Sequence, residues 1–340
     1  MRVVHTADLH IGATRLIPGY LERQREMLRN ILQIAQEQSR NDKTILVVAG
    51  DIFHTLPKPE ERKLFLTFLL DAKDAGIQVL MVAGNHDLWS KEMSHLDQIK
   101  LLCDRGVLKD IHLAVRVPEV VLIDDVEFIL LPNMSLSTEE LNDIVSTLSS
   151  KPTTIVVFHE RCLGSLTDVG WKSSRGPVPD ERLKVSAWMC GDIHKFQRIG
   201  KANAFYPGSP IQHDFGEAPP KGVLIWEIGL QGGSCNFREI RGVRPLITLD
   251  ALPEDLKDLP DAWIRLRSMP QNSTLPPHVV KVEPLTREHS FAGAEDLKEK
   301  LGSNLLTGLD EVLFSAKLDE NLFEEARKLA EDVLSFVSHV

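Results

Sequence analysis

The sequence predicts an α/β protein in which a helix-covered sheet is followed by a smaller β-rich domain and a helical tail. Three observations support this. Apolar β-type runs alternate with amphipathic helical patterns over the first two thirds of the chain; polar residues of metal-ligand type recur where those runs end; and after about Gly222 the pattern changes to short β-like segments broken by Pro and Gly.

Taken in order, "MRVVHTA" reads as a strand, "YLERQREMLRNILQIAQEQ" as an amphipathic helix and "KTILVVAG" as a buried strand. "PEERKLFLTFLLDAKDAG" reads as a second helix and "IQVLMVAG" as a third strand, which is the βαβ pattern of a sheet flanked by helices. "VVLIDDVEFILLP" continues the series as two strands about an Asp-Asp turn, "LSTEELNDIVSTL" as a helix and "TTIVVF" as a strand. Two more strands end in "WMCGDIH" and "AFYPGSP". The segments "GVLIWEI", "CNFREI", "PLITL" and "AWIRLRS" read as the smaller β domain. Boundaries are expected at 1–225 for the first domain, 226–290 for the second and 291–340 for the tail.

With 340 residues, 43% of them hydrophobic and 26% charged, the chain has room for a sizeable core without staples. Its four cysteines, Cys103, Cys162, Cys190 and Cys235, form no C-x-x-C pair, so neither a disulfide framework nor a zinc ribbon is expected. No apolar run approaches the roughly 18 residues of a membrane span, and the polar opening does not read as a signal peptide. Residence in the cytoplasm, bacterial or phage-infected, is the expectation. A net charge of −10 argues against binding nucleic acid through overall basicity but suits a carboxylate-rich metal site.

The residues that carry chemistry stand at strand ends. Strand one runs into Asp8 and His10, strand two into Gly50-Asp51, strand three into Gly84-Asn85-His86-Asp87, "TTIVVF" into His159, and "WMC" into Gly191, Asp192 and His194. In an α/β sheet the carboxyl ends of the strands are where ligands bind, so five such loops can share one crevice. Carboxylates, imidazoles and one amide, with no thiolate cluster, suit hard or borderline divalent cations. Two ions in one site would need a bridging carboxylate, for which Asp51 is the candidate. Each element alone is weak evidence. All five in this order, each after a strand pattern, leave little room for a purely structural explanation.

As a set, D-x-H, G-D, G-N-H-D, H and G-x-x-H resemble the calcineurin-like metallophosphoesterase superfamily. Within it, "YPGSPIQHDFGE" from Tyr206 to Glu217 is similar to the segment after the last metal motif in DNA-repair nuclease subunits of the SbcD type and their bacteriophage counterparts. The resemblance covers roughly residues 1–225. It implies a four-layer sandwich, two mixed β-sheets flanked by helices, with a small capping domain. It places one metal on Asp8, His10, Asp51 and His194, and a second on Asp51, Asn85, His159 and Asp192. His86 would be the catalytic acid, with Asp87 orienting its ring. It further implies exonuclease action on duplex DNA ends, endonuclease action on single strands, a homodimer, and an SMC-like ABC ATPase partner with coiled coils.

The family pattern at the last motif is usually G-H-x-H, whereas this chain has Gly191-Asp192-Ile193-His194. A carboxylate in place of an imidazole adds negative charge and favours harder ions, so Mn²⁺, then Mg²⁺, is expected over Zn²⁺. Lys172, Arg175, Lys195, Arg198 and Lys201 lie near the site loops in sequence and are candidates to track a phosphate backbone. "GSLTDVGWKSSRG" reads as a loop near the substrate. The acidic amphipathic pattern from Asp319 to His339 reads as a helix whose apolar stripe either packs on the protein's own capping domain or docks the ATPase. Two rival readings use the same residues: a phosphoesterase for small molecules or phosphoproteins, and a non-catalytic DNA-binding scaffold.

Overall fold

The computed structural model describes residues 1–282, except 230, 231, 254, 268–274 and 276. The first sheet has the order β12-β11-β1-β2-β3-β4. Its strands are β1 (Arg2–Thr6), β2 (Thr44–Ala49), β3 (Gln78–Val82), β4 (Ile111–Ala114), β11 (Gly222–Gly229) and β12 (Gly232–Glu239). β1 to β4 are parallel, and β11 and β12 add antiparallel to the β1 edge. The second sheet, β5-β6-β7-β8-β10-β9, contains β5 (Glu119–Ile123), β6 (Val126–Leu131), β7 (Thr153–His159), β8 (Ala187–Gly191), β9 (Gln197–Ile199) and β10 (Ala204–Tyr206). β6, β7, β8 and β10 are parallel, with antiparallel strands at both edges.

Strand alternation explains the layering. Val3, Ile45, Val47, Leu80 and Val82 of the first sheet meet Phe128, Leu130, Ile155, Val157 and Met189 of the second in one core between the sheets. The alternate residues Val4, Leu46, Val48, Val79 and Met81 pack outward with Met27, Ile31, Phe65 and Leu69. Those side chains come from α1 (Tyr20–Ser39) and α2 (Pro59–Asp74). On the far side Ile129, Val156, Phe158 and Trp188 meet Leu141 and Val145 of α4 (Thr138–Leu148). The central strands are therefore apolar on both faces, as parallel strands covered on both sides must be. Each large side chain so buried contributes about 1.5–3 kcal/mol. The expected four-layer sandwich of two mixed sheets flanked by helices is thus present.

Four elements lie where the sequence reading had no strand or α-helix: α3 (Asp97–Asp104), the four-residue β4, the three-residue β9 and the four-residue β15 (Val279–Val282). The expected boundary at 225 falls inside β11, so "GVLIWEI" and "CNFREI" complete the first sheet rather than opening a second domain. A separate three-stranded parallel sheet follows, β13 (Leu246–Leu249), β14 (Trp263–Leu266) and β15 (Val279–Val282). It packs around Ala262, Ile264 and Leu266. The tail 291–340, with its candidate docking helix, lies outside the described residues.

The carboxyl ends of the two sheets converge. A Cβ on Gly191, at the end of β8, would stand 1.7 Å from the Ala49 carbonyl oxygen, and one on Gly50 would stand 2.1 Å from His159 Nδ1. Gly50 also has φ +88, a conformation that L side chains rarely adopt. Gly191→Ala is expected to destabilise the protein by on the order of 3 kcal/mol, because backbone rather than a flexible side chain would have to give way. The shift in urea midpoint measures this, and an unchanged midpoint would mean the sheets are not in contact there.

Candidate metal centre

Five loops at this end bring together all seven expected ligands. Their backbones are unusual: Asp8, His10, Asp51 and Asp192 all have positive φ, at 53°, 41°, 50° and 103°. These four are the majority of the seven non-glycine residues with positive φ among the described residues, and such outliers persist only where surroundings over-determine them. The surroundings are identifiable. Asp8 N–H donates to Gly50 O at 3.0 Å, and His10 N–H to Asp51 O at 2.9 Å, so the loops after β1 and β2 continue to pair beyond the sheet.

Asp51 stands at the middle. Its Oδ2 lies 3.4 Å from His10 Nε2 and its Oδ1 3.4 Å from His159 Nε2. On the first side, His10 Nε2 and His194 Nε2 face each other at 2.9 Å, and Asp8, His10 and His194 form a cluster able to hold a cation. On the second side, His159 Nε2 has Asn85 Oδ1 at 3.1 Å and Asp192 Oδ1 at 3.8 Å, and Asp8, Asp51 and His159 form another such cluster. His159 Nδ1–H donates to the Ala49 carbonyl at 2.7 Å, which leaves Nε2 aimed into the crevice.

The electrostatics fit cations. Asp8 Oδ2 is buried without any hydrogen-bond partner, while Oδ1 accepts the Asp192 N–H at 3.0 Å. Burial raises the Asp8 pKa to about 7 despite the pull of His159 and His194. Burial opposes a charge on His159, but Asp51, Asp8 and Asp192 overcome it and lift its pKa well above the ordinary histidine value. His10 is lowered by burial and by the four histidines around it, His54, His86, His194 and His213, which favours the neutral form that ligates metal. An unpartnered buried carboxylate oxygen amid converging imidazole nitrogens is what divalent cations would satisfy. The donor set is hard to borderline and contains no sulfur.

A second layer, which the sequence reading did not single out, holds the first. Glu217 accepts from His194 Nδ1 at 2.6 Å and from Ser209 Oγ at 3.0 Å, and pairs with Lys221 at 2.8 Å. Burial opposes the Glu217 charge, but His194, His213 and Lys221 hold its pKa below the usual carboxylate range. The same carboxylate overrides burial to raise His194 to about 9. Lys221 also pairs with Asp168 at 2.8 Å, tying down the 164–176 hairpin. His213 Nε2–H donates to Asp8 O at 2.7 Å, and burial lowers the His213 pKa to about 3. Tyr206 hydroxyl donates to Glu160 O at 2.6 Å and accepts from Cys162 N at 2.9 Å, fixing the turn after His159. The sequence signal for these residues was the "YPGSPIQHDFGE" stretch, which carries four of them but not their partners.

Glu217→Ala is expected to lower cation affinity about 10–100-fold, the usual cost of losing the acceptor behind a metal-facing histidine. Competition against a chelator measures it. Wild-type affinity in the folded variant would show that the His194 orientation does not depend on Glu217.

The expected role of Asp87 is corrected. Its carboxylate accepts the backbone N–H groups of Gly84, Ile52 and Phe53 at 2.9–3.1 Å, locking the Asn85–Asp87 turn to the loop after Asp51. Burial and Asp51 push its pKa up to about 7 against those three donors. The His86 ring is instead oriented by its own Nδ1–H, which donates to the His54 carbonyl at 2.7 Å. His54, three residues beyond Asp51 in sequence, stacks on His86 with ring centroids 5.3 Å apart and approaches His10, Nδ1 to Nδ1, at 3.4 Å.

The five candidate DNA-contact residues divide. Lys195 is exposed immediately after His194, and Lys172 and Arg175 are exposed on the 164–176 hairpin. Arg198 donates to the carbonyls of Lys201 and Ala202, and Lys201 lies 3.7 Å from Glu181, so both make contacts within the second sheet's edge region. Among the described residues no helix is long and apolar enough to cross a membrane.

Two helix-flanked mixed sheets with a carboxylate–imidazole crevice at the strand ends define a metallophosphoesterase. Residues 1–196 match the calcineurin-like phosphoesterase family, more than half the chain, and the chain belongs to that family. The family uses divalent metal ions. The chain is 24% identical over 279 residues to the DNA double-strand break repair protein Mre11 of Methanopyrus kandleri, covering 75% of this chain and 60% of that protein. It is 26% identical over 268 residues to Mre11 of Archaeoglobus fulgidus, covering 72% and 58%. The SbcD component of the SbcCD nuclease of Staphylococcus epidermidis is 23% identical over 301 residues, covering 79% and 76%. The chain thus spans less than two thirds of the Mre11 proteins it matches.

Proposed function

We propose that this chain is a metal-dependent DNA phosphodiesterase, acting in recombination or repair as the nuclease subunit of a larger assembly. The observation that carries the reading is Asp51, whose two oxygens face two separate groups of donors. Asp8, His10, Asp51 and His194 would hold one cation, and Asp51, Asn85, His159 and Asp192 the other. Mn²⁺ is the proposed ion, because oxygen donors predominate in the second set. Bound divalent cations lower the pKa of water and neutralise charge at a phosphoryl group. The protein's own residues do the rest. His86, with Nδ1 committed to the His54 carbonyl, has only Nε2 left to exchange a proton with the leaving oxygen. Lys195, Lys172 and Arg175 would meet the flanking phosphates.

The metal-facing residues alone would serve a small-molecule phosphoesterase equally well. DNA is favoured by the relatives, whose names specify DNA double-strand break repair and a nuclease. The scaffold reading is disfavoured because every expected ligand and His86 are present in one crevice. An SMC-like ABC ATPase partner, a homodimer and cytoplasmic residence follow the same proposal, as does a DNA-binding role for the three-stranded sheet. Nicking of supercoiled plasmid and digestion of duplex ends, with Mn²⁺, should proceed while cyclic nucleotides and simple phosphomonoesters turn over poorly. Efficient ester hydrolysis without DNA cleavage would overturn the reading.

Asp192→His, which restores the usual family residue, is expected to retain DNA cleavage and move the metal preference toward softer ions. Identical Mn²⁺, Mg²⁺ and Zn²⁺ activation curves for variant and wild type would show that Asp192 does not touch a cation.

A further inference from the structure

Asp192 brings a negative charge to a crevice that already buries the carboxylates of Asp8 and Asp51. A counter-charge lies beside it. Arg161, two residues past the end of β7, donates from Nε to Asp192 Oδ2 at 3.1 Å. The other oxygen, Oδ1, is the one that faces His159 Nε2, at 3.8 Å. The Arg161 guanidinium is itself placed over the Trp171 ring, 5.4 Å from its centroid. At the main chain, Asp192 is held by its N–H bond to Asp8 Oδ1 in a conformation with φ 103°. The carboxylate is thus fixed from both ends, with one oxygen turned into the crevice and the other turned away from it.

We infer that Arg161 is the positioning residue of the second cation site, holding Asp192 to one-oxygen ligation and cancelling the charge that this carboxylate adds. The inference rests on the proposed ligand role of Asp192. An arginine suits the task because its guanidinium stays charged and is planar, so it pairs with a carboxylate and lies on an aromatic face at once. Without it, both Asp192 oxygens become available and the site gains a net negative charge, so a divalent cation should bind more tightly. A merely structural role, supporting the hairpin through Trp171, predicts no dependence on Asp192.

Calorimetric titration of the full chain with Mn²⁺ tests this in wild type, Arg161→Gln, Asp192→Asn and the double variant. Asp192→Asn should weaken one of the binding events about tenfold, and Arg161→Gln should strengthen that same event about three- to tenfold, since the pair is partly solvent-screened. In the Asp192→Asn background the gain from Arg161→Gln should largely disappear, which is the coupling a double-mutant cycle isolates. If Asp192→Asn leaves Mn²⁺ affinity unchanged, Asp192 is not a ligand and both the assignment and the inference fall. If Asp192→Asn weakens binding but Arg161→Gln has no effect, or has the same effect in both backgrounds, the inference alone is overturned.

Discussion

Asp51→Asn is expected to reduce metal-dependent DNA cleavage by about 10³-fold or more, a loss of roughly 4 kcal/mol in transition-state stabilisation. The expectation follows from position. One oxygen of Asp51 lies 3.4 Å from His10 Nε2 and the other 3.4 Å from His159 Nε2, so one substitution removes a charge from both halves of the site. The fold should survive, because the amide keeps an oxygen able to accept the His86 backbone N–H that Asp51 Oδ1 accepts at 2.9 Å. The cation-free variant should be less stable than wild type at neutral pH, because burial opposes the Asp51 charge but His159 and His86 hold its pKa below the usual carboxylate range, and Asp51 in turn sustains the charge on buried His159. Cleavage rates, Mn²⁺ stoichiometry and thermal midpoints in chelator measure the three consequences. A folded variant with near-normal cleavage would reject the bridging role.

The parts of this architecture that were legible from sequence are those with a local signature. β2, with "TILVVA", is buried at every position and apolar at all but Thr44 because both of its faces are covered, and such runs alternate visibly with helical periodicity. Asp8, Asp51, Asn85, His159 and His194 stand at or within three residues of the ends of such runs, so the strand-end rule singled them out without knowledge of the contacts. What was not legible depends on distant partners. β11 pairs with β1, Val3 opposite Trp226, and nothing within the segment after Gly222 indicates that its partner is the first strand of the chain. Glu217 and Lys221 matter because a buried network joins them to His194 and Asp168, a tertiary fact with no periodic trace. Asp87 misled by proximity in sequence. In the tight turn Asn85–Asp87 successive side chains diverge by about 120°, so the neighbour of His86 points into the backbone of another loop rather than at its ring.

His86→Gln should separate binding from chemistry. The imidazole lies half-buried at the crevice, its Nδ1–H bonded to the His54 carbonyl at 2.7 Å, its ring stacked on His54 and edge-on to His10 at 4.8 Å. Its backbone N–H serves Asp51 whatever the side chain, so the substitution leaves that contact intact. Glutamine retains a hydrogen-bond donor but has no titrating group, so it can occupy the space without transferring a proton to a leaving oxygen. The expected result is a loss of about 10²–10⁴-fold in turnover, with Mn²⁺ binding and DNA affinity close to wild type. Single-turnover cleavage of pre-bound DNA measures the chemical step, and fluorescence anisotropy with Ca²⁺ in place of Mn²⁺ measures affinity. A second substrate isolates the proton further. A phosphodiester whose leaving group departs without protonation, such as a nitrophenolate, should be cleaved by the variant with a much smaller deficit than DNA, because the step His86 assists is no longer needed. Equal deficits on both substrates would place His86 in charge stabilisation instead of acid catalysis, and a collapse of DNA affinity with turnover per bound complex unchanged would make it a binding residue.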